Sequence, residues 1–405
     1  MLLNHKCTHF PASLQEVINV MIMQPHGMFQ YFNIYVPLPR IMKRILLLSD
    51  INSAHTKKWV TVLLNEGFTI GVFSLSEPTD NWYTLSGVEL LSCGGFETNS
   101  FNKTTTEKLS YLGKRQAVRE TIKKFQPDIL HAHYASSYGL LGAMSGFHPY
   151  FISVWGSDVL LFPNNLVSKS ILKYNFRKAD KIIVSSKTLD TATRQFTKKT
   201  PVIIPFGIDT TLFAPADRSG RKSVTIGTVK SLRTVYGIDL LIRAFAKVVS
   251  SLPESDISLT IVGEGPEREN LTNLAASLGV DDMVTMLPPV SQDKLVPLLH
   301  SFDIAAFLSR SESFGVAVLE ASSTGLPVVV SKTGGLTEVV DHEITGFHTE
   351  PGNIDDAAEK LVGLINDPDL RKRMGTNGRD KVLREYELKN TIKDICRLYS
   401  EETTR

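Results

Sequence analysis

The sequence has few cysteines and no long apolar run. Its three cysteines, Cys7, Cys93 and Cys396, lie far apart and are odd in number, so they indicate neither a disulfide framework nor a cysteine-based zinc site. This usage fits a reducing compartment, and we expect a cytoplasmic protein. No apolar stretch reaches the roughly 18 to 20 residues that a transmembrane helix needs.

Two other missing patterns exclude further classes of protein. The basic stretches lack interleaved aromatic residues and any known nucleic-acid-binding motif, so we expect no nucleic-acid partner. No predicted strand is followed by the full G-x-G-x-x-G pattern with its downstream acidic residue. A dinucleotide-dependent dehydrogenase is therefore not expected.

Length and charge indicate two unlike halves. A chain of 405 residues with 42% hydrophobic and 21% charged residues is expected to form two globular domains. The net charge of +2 conceals an asymmetry, because residues 42–204 carry 20 basic and 12 acidic residues while residues 205–383 carry 17 and 24. The basic half predicts peripheral contact with an anionic membrane at its inner face, although ordinary solvated helix faces explain the same charges equally well.

The stretch from 303 to 340 predicts a strand, helix, strand unit of a parallel sheet. Two short apolar runs, DIAAFLS from Asp303 and LPVVVS from Leu326, have the length of strands. Residues 315–324 repeat apolar side chains at helical spacing, and the pattern stops at Gly325. In such a unit the ligand site lies in the loop after the first strand and on the first turn of the helix.

Polar residues stand at this predicted position. We take Ser313 as the helix N-cap, which leaves backbone amides free beside the positive end of the helix, as a phosphate site requires. These amides belong to Phe314, Gly315 and Val316. Glu312 precedes the helix and Glu320 lies within it, so two carboxylates can accept hydrogen bonds from sugar hydroxyls in one pocket. A carboxylate in so apolar a unit is costly unless a partner or ligand compensates it.

Together these features resemble a known donor site. The E-x7-E spacing with FG between its acids, then GxPVV from Gly325 and a GG loop ahead of TEVV, is similar to the family 4 retaining glycosyltransferases. The resemblance covers about residues 42–400. It implies an α/β fold of the GT-B type, with two Rossmann-like domains facing one another across a cleft.

The same resemblance implies an activity. It is the transfer of a sugar from a nucleotide-sugar donor to a hydroxyl of a sugar or lipid-linked acceptor, with retention at the anomeric carbon and without metal or cofactor. Polysaccharide or glycoconjugate biosynthesis is the expected setting. A sugar-nucleotide epimerase, a phosphorylase with pyridoxal phosphate and a non-catalytic nucleotide-sugar sensor are the alternatives.

We expect five segments along the chain. The first, residues 1–41, has no sustained period, so it is either a disordered extension or a misplaced start before Met42. The others are an acceptor-side domain at 42–214, a linker at 215–223, a nucleotide-sugar-binding domain at 224–385 and a helix at 386–405 that packs back on the first domain.

The resemblance implies a role for each matching residue. The catalytic residues are His133, Lys230 and Glu312. The donor-binding residues are Arg233, Gly263, Val290, Ser313, Phe314, Gly315, Val316 and Glu320. The acceptor-side residues are Ser53, His55, Gly156 and Asp158.

The sequence departs from the family pattern in both halves. The first loop, from Asn52 to His55, lacks the usual glycines, and Trp155 replaces a histidine before Gly156. Val235 and Tyr236 stand where the family has a second lysine, so Arg233 substitutes for it or the cation comes from elsewhere.

Two motifs are better explained by structure than by chemistry. Asp367 and Asp369 form an Asp-x-Asp of the kind that binds metal in other glycosyltransferases, but Pro368 between them favours an N-cap and the first turn of a helix. His131 beside its strand is predicted to be a packed core histidine.

Overall fold

The computed structural model describes residues 15–23, 29–37, 43–92, 113–218 and 220–401. Residues Gln15–Met23 (β1) and Phe29–Pro37 (β2) pair as antiparallel strands. The rest of 1–41, which the sequence predicts to be an extension, lies outside the described residues.

A seven-stranded parallel sheet forms the first domain, in the spatial order β5-β4-β3-β6-β7-β8-β9. Its strands are β3 (Arg44–Leu48), β4 (Thr69–Phe73), β5 (Glu89–Ser92), β6 (Ile129–His133), β7 (Tyr150–Val154), β8 (Lys181–Val184) and β9 (Val202–Ile203). Its helices are α1 (Ala54–Asn65), α2 (Trp82–Leu85), α3 (Arg115–Phe125), α4 (Ser137–Ser145), α5 (Ser157–Leu160), α6 (Leu166–Lys178) and α7 (Lys187–Arg194).

A six-stranded parallel sheet forms the second domain, in the order β12-β11-β10-β13-β14-β15. Its strands are β10 (Val224–Val229), β11 (Ile257–Val262), β12 (Val284–Leu287), β13 (Ile304–Phe307), β14 (Val328–Ser331) and β15 (Gly346–Thr349). The helices are α8 (Ile238–Ser251), α9 (Arg268–Ser277), α10 (Gln292–Ser301), α11 (Val316–Ser323), α12 (Leu336–Val339), α13 (Ile354–Asn366), α14 (Pro368–Glu385) and α15 (Leu388–Glu401).

Continuous apolar runs explain why the central strands are parallel and covered on both faces. The strand RILLL from Arg44 and the strand VVVS from Val328 are almost wholly buried, with no polar face that could lie against water. Parallel strands need crossover connections, and the intervening helices supply them while covering the sheets. In each sheet the strand order reverses once, between β3 and β6 and between β10 and β13, and ligands bind at such reversals.

The last helix returns to the first domain. In α15, Ile395, Leu398 and Tyr399 pack into the core of the first sheet with Ile45 and Leu47. Tyr399 donates or accepts a hydrogen bond with His131 Nδ1 at 2.6 Å. Within the described ranges, no helix is both long and apolar enough to cross a bilayer.

The two structural interpretations of the polar motifs are confirmed. The Asp367 side chain accepts from the backbone amide of Leu370 at 2.8 Å and caps α14, with Pro368 in its first turn. His131 is fully buried, and its Nε2 lies 2.8 Å from Ser153 Oγ.

Candidate functional site

Two charged side chains meet where the strand order of the second sheet reverses. Lys230 follows β10, Glu312 lies in the loop after β13, and these strands are neighbours. The Lys230 ammonium donates to the Glu312 carboxylate, and the two side chains are only 13% and 11% exposed. The ammonium also lies 4.6 Å from the ring centroid of Tyr236. A ligand that enters here can bind an anionic group at Lys230 and hydroxyls at Glu312.

The helix beside this pair begins later than the sequence predicts. α11 starts at Val316 with Gly315 as its N-cap, so the prediction of Ser313 as the cap is wrong. Gly315 has a φ of 111°, a left-handed conformation that favours glycine and turns the chain into the helix. The Ser313 hydroxyl instead donates to the Trp155 carbonyl oxygen at 3.3 Å. The amides of Val316 and the next residue find no acceptor among the described residues, which leaves an anion site at this helix end.

Glu320 lies on α11 and faces a cavity between the domains. Burial of its carboxyl raises the pKa of Glu320 to about 7, while Lys58 and Lys230 act in the opposite direction. Burial therefore favours the neutral form of this carboxyl. A ligand that donates hydroxyls to it would stabilise the ionised form.

Glycines let the neighbouring loops approach this site closely. A Cβ at Gly263 would overlap the carbonyl oxygen of Lys230, and a Cβ at Gly334 would overlap that of Glu312. The loops after β11 and β14 therefore press against the two loops that carry the ion pair. Phe314 anchors the loop that carries Glu312, because the buried Phe314 ring packs 5.8 Å from the ring of Phe206.

The remaining donor-side predictions lie around the same cleft. Arg233 is half-buried in the loop after β10, where the chain enters a 3₁₀ turn, Thr234–Tyr236. Val290 follows β12 and lines the cavity. The cavity holds about 280 Å³ and is mainly apolar. Its lining residues are Ala54, His55, Lys58, Trp59, Val62, Leu63, Phe206, Gly207, Val290, Leu295, Val316, Glu320, Leu388, Thr391, Ile392 and Ile395.

On the first-domain side, His133 ends β6 at the reversal of strand order. Its Nδ1 lies 3.0 Å from Ser49 Oγ, whereas its Nε2 has no hydrogen-bond partner among the described residues. The rings of Trp59 and Trp155 lie 5.5 and 5.0 Å from the imidazole and leave it 1% exposed. Burial, followed by the charge of His55, lowers the pKa of His133 to about 3, so the ring is neutral at physiological pH.

The first loop brings one of its two predicted residues to the cavity. Ser53 is the N-cap of α1, but its side chain makes no capping hydrogen bond. His55 lines the cavity, with its ring stacked 4.7 Å from Phe206. Burial, followed by the charges of Lys58 and Lys230, lowers the pKa of His55 to about 4.

Gly156 and Asp158 shape the loop after β7. The buried Asp158 carboxylate accepts from the amides of Ala135 at 2.6 Å and Gly156 at 2.8 Å, so it ties the loops after β6 and β7 together. Burial raises the pKa of Asp158 despite these amides. Gly156 faces the other domain, because a Cβ there would lie 2.6 Å from the Ser313 side chain.

Sequence reasoning missed a contact that joins the two domains. The Glu338 carboxylate, from α12, accepts from the backbone amides of Lys187 and Thr188 at 2.8 Å each and from Thr188 Oγ1 at 2.7 Å. These amides open α7, so an acidic side chain of one domain caps a helix of the other. Ser186 Oγ donates to the Ser313 carbonyl oxygen at 2.9 Å beside it. Glu338 follows the GG loop, but nothing in its local sequence indicates a partner in the first domain.

It also missed Lys58, one turn after His55 on α1. The Lys58 ammonium donates to the Gly207 carbonyl oxygen and lines the cavity with Glu320. Burial lowers the pKa of Lys58, while Glu320 and then Asp209 oppose that change. The helical spacing from His55 is the signal that could have placed it in the cleft.

No group of three or more His, Cys, Asp or Glu side chains is arranged to hold a metal ion in the part of the chain that the structure describes.

Two family descriptions match the two domains. "Glycosyl transferase 4-like" matches residues 44–186, and "Glycosyl transferases group 1" matches residues 213–381. The N-acetyl-alpha-D-glucosaminyl L-malate synthase of Bacillus anthracis is 27% identical over 302 residues, which cover 69% of this chain and 76% of that protein. The D-inositol 3-phosphate glycosyltransferase of Pseudarthrobacter chlorophenolicus is 36% identical over 183 residues, which cover 43% of this chain and 44% of that protein.

Solved structures show the same fold. The sucrose-phosphate synthase of Thermosynechococcus elongatus superposes with a TM-score of 0.77 at 18% identity, covering 89% of this chain and 99% of that chain. Anabaena HepE in complex with UDP-glucose gives 0.73 at 20% identity, covering 89% and 100%. These findings confirm the predicted GT-B architecture and give the epimerase and sensor alternatives no support. The chain belongs to the group 1, family 4-like glycosyltransferases, enzymes that transfer a sugar from a nucleotide-sugar donor.

Proposed function

We propose that the chain transfers a sugar to a hydroxyl acceptor with retention at the anomeric carbon and without a metal ion. The observation that carries this proposal is the Lys230–Glu312 pair at the strand reversal, beside the free amides of α11. A cation and a helix end suit a diphosphate, and a carboxylate beside them suits a sugar.

Each donor group has a partner under this proposal. The diphosphate binds Lys230 and the amides at the start of α11. Glu320 accepts hydrogen bonds from the ribose hydroxyls, and Glu312 accepts them from the transferred sugar. The loops at Gly263 and Val290 flank the base.

A second cation comes from the first domain. Val235 and Tyr236 occupy the place of the lysine in the family pattern, so the second domain lacks that cation. Lys58 reaches the cavity from the facing domain and lies in the field of Glu320. We assign Lys58 to the donor diphosphate as a further cation beside Lys230.

The proposed reaction depends mainly on stabilisation of the leaving group. The bond between the anomeric carbon and the diphosphate oxygen breaks, and the cations together with the helix end stabilise the charge that develops there. The acceptor oxygen bonds to the same face of the anomeric carbon, and its proton passes to the departing diphosphate. Asp158 is a poor nucleophile for a double displacement, because backbone amides hold its buried carboxylate. Retention by attack on one face fits this arrangement.

The acceptor lies on the first-domain side. Nε2 of His133 lacks a hydrogen-bond partner among the described residues, and an acceptor hydroxyl can reach it only when the ring of Trp59 or Trp155 moves aside. Gly156, which has no side chain, lets the loop after β7 pack against Ser313 of the donor-side domain. The proposed position of the acceptor depends on His133 and Gly156.

The test is turnover with a panel of UDP-, GDP- and ADP-sugars, measured as release of the nucleoside diphosphate. HepE was solved with UDP-glucose, so UDP-sugars are the first probes. One class of nucleotide-sugar should be consumed, and EDTA should not change the rate of its consumption. NMR of the product should show the same anomeric configuration as the donor.

A matched pair of lysine variants controls this experiment. Lys230→Met should lower kcat/KM by about a hundredfold or more, because it removes a cation from the leaving group. Lys247→Met, at an exposed lysine of the same domain that pairs with Asp355, should change it less than about twofold. An inverted product, or equal effects of the two variants, would refute the assignment.

A further inference from the structure

An exposed apolar cluster stands on the first domain, next to the cleft. Leu160, Leu161, Leu166 and Val167 are 37%, 64%, 82% and 53% exposed, and they fall within eight positions. Leu85 is as exposed as Leu166 but stands alone in its helix. Single exposed apolar residues need no explanation, whereas a cluster of them marks an interaction surface.

The fold fixes these side chains in their exposed positions. Phe162 is buried in the core of the first domain and anchors the turn that carries Leu161. Asn165 caps α6 by accepting from the Ser168 amide at 2.9 Å, and the Asn165 backbone amide donates in turn to Ser168 Oγ at 3.1 Å. This capping box holds the start of the helix, so Leu166 is displayed by an ordered turn.

Cations continue the same face along α6. Lys169, Lys173 and Arg177 follow Leu166 by 3, 7 and 11 positions, a spacing that places them on one side of a helix, and all are exposed. The helix, LVSKSILKYNFRK, contains no acidic residue. A surface with an apolar end followed by cations matches the acyl boundary and the phosphates of an anionic bilayer.

The cluster lies at the rim of the cleft. α5 follows Gly156, where the first domain meets Ser313 of the second, and Leu160 ends that one-turn helix. We propose that the cluster of Leu160, Leu161, Leu166 and Val167, with the cationic face of α6, docks the enzyme on an anionic bilayer. The acceptor would then be a hydroxyl carried by a membrane lipid, a step that rests on the proposed function, whereas the docking itself does not.

A second copy of the chain fits this surface less well. Two α6 helices brought face to face would place Lys169, Lys173 and Arg177 against the same cations, and like charges repel. Anionic headgroups neutralise them instead.

Co-sedimentation of the full chain with vesicles tests the docking. One vesicle set is phosphatidylcholine alone, and the other contains about 30% phosphatidylglycerol. The wild-type chain should bind the anionic vesicles at least about tenfold more tightly, and 0.5 M salt should weaken that binding. Leu166→Glu should lose about tenfold or more, and Leu85→Glu, the matched control, should stay within about twofold.

Other outcomes overturn the proposal. They are equal binding to both vesicle sets, no binding, an equal loss in the two glutamate variants, or a concentration-dependent dimer that Leu166→Glu abolishes. If Leu166→Glu does not fold, the double variant Lys169→Ser with Lys173→Ser replaces it, since both side chains are exposed. Release of nucleoside diphosphate without vesicles is measured in parallel, so that failure of docking and failure of sugar transfer are seen separately.

Discussion

The Glu320 carboxyl should make the stability of the empty enzyme depend on pH. We expect Glu320→Gln to stabilise the ligand-free protein and to weaken donor binding at the same time. The amide keeps the size of the side chain but has no charge to bury, and it is a poorer acceptor for ribose hydroxyls. A residue that costs stability while the site is empty is expected where a ligand later compensates it.

The magnitude follows from the pKa. Glu320 has an ordinary pKa of 4.5 and a pKa of about 7 in the fold. Because the folded pKa is the higher one, the favourable contribution of this group is complete below pH 4.5 and is lost as the pH rises towards 7. At ~1.4 kcal/mol for each pH unit, ionisation costs the folded state at most ~3 kcal/mol at pH 8 and ~1 kcal/mol at pH 5. Water in the cavity screens the charge, so the first figure is an upper limit.

Urea unfolding of the wild type and of Glu320→Gln at pH 5 and pH 8 measures this difference. The variant should gain about 1–2 kcal/mol more in its free energy of unfolding at pH 8 than at pH 5. Glu254→Gln, at an exposed position, should show the same small change at both values. An equal gain for Glu320→Gln at both pH values would refute the view that its carboxyl is buried and ionised at the cost of stability.

Three further variants probe the cleft. Lys58→Met should weaken binding of the nucleoside diphosphate about tenfold but leave binding of the nucleoside unchanged by calorimetry, and Lys57→Met on the same helix should alter neither. Glu338→Ala should lower the free energy of unfolding, measured by urea unfolding, by about 1–2 kcal/mol, because three donors of the other domain lose their acceptor. An unchanged free energy would mean that the contact is not formed in solution. Gly263→Ala should abolish donor binding, since the added Cβ overlaps the neighbouring loop. Gly363→Ala, at a helix position where the added Cβ meets open space, should leave donor binding unchanged and raise the free energy of unfolding by at most ~1 kcal/mol.

The fold and the acidic pair could be predicted because they depend on local patterns. An apolar run such as VVVS from Val328 predicts a buried parallel strand. The loop between β13 and α11 carries Glu312, and loops at this position of a parallel sheet bind ligands. The cap of α11 could not be predicted in this way. Ser313 has the better capping side chain, but the left-handed Gly315 and the contact with Trp155 in the other domain decide where the helix begins.

Contacts between the domains could not be predicted from the sequence either, because they depend on the facing domain. Glu338 looks like an ordinary charge of a helix surface, and only the facing domain shows that it caps a helix. Lys58 shares the helical spacing of His55, but its contact with the Gly207 carbonyl oxygen is a tertiary one. His133 was predicted at the carboxyl edge of its strand, and it lies there. Its cover by Trp59, from helix α1, is a tertiary contact that no spacing indicates.

The most direct test is a crystal structure of the enzyme with the nucleotide-sugar that it consumes. Our account predicts ribose hydroxyls within hydrogen-bond distance of Glu320, a diphosphate beside Lys230 and the first amides of α11, and the sugar against Glu312. A nucleotide bound elsewhere, with Glu320 still unoccupied, would contradict it.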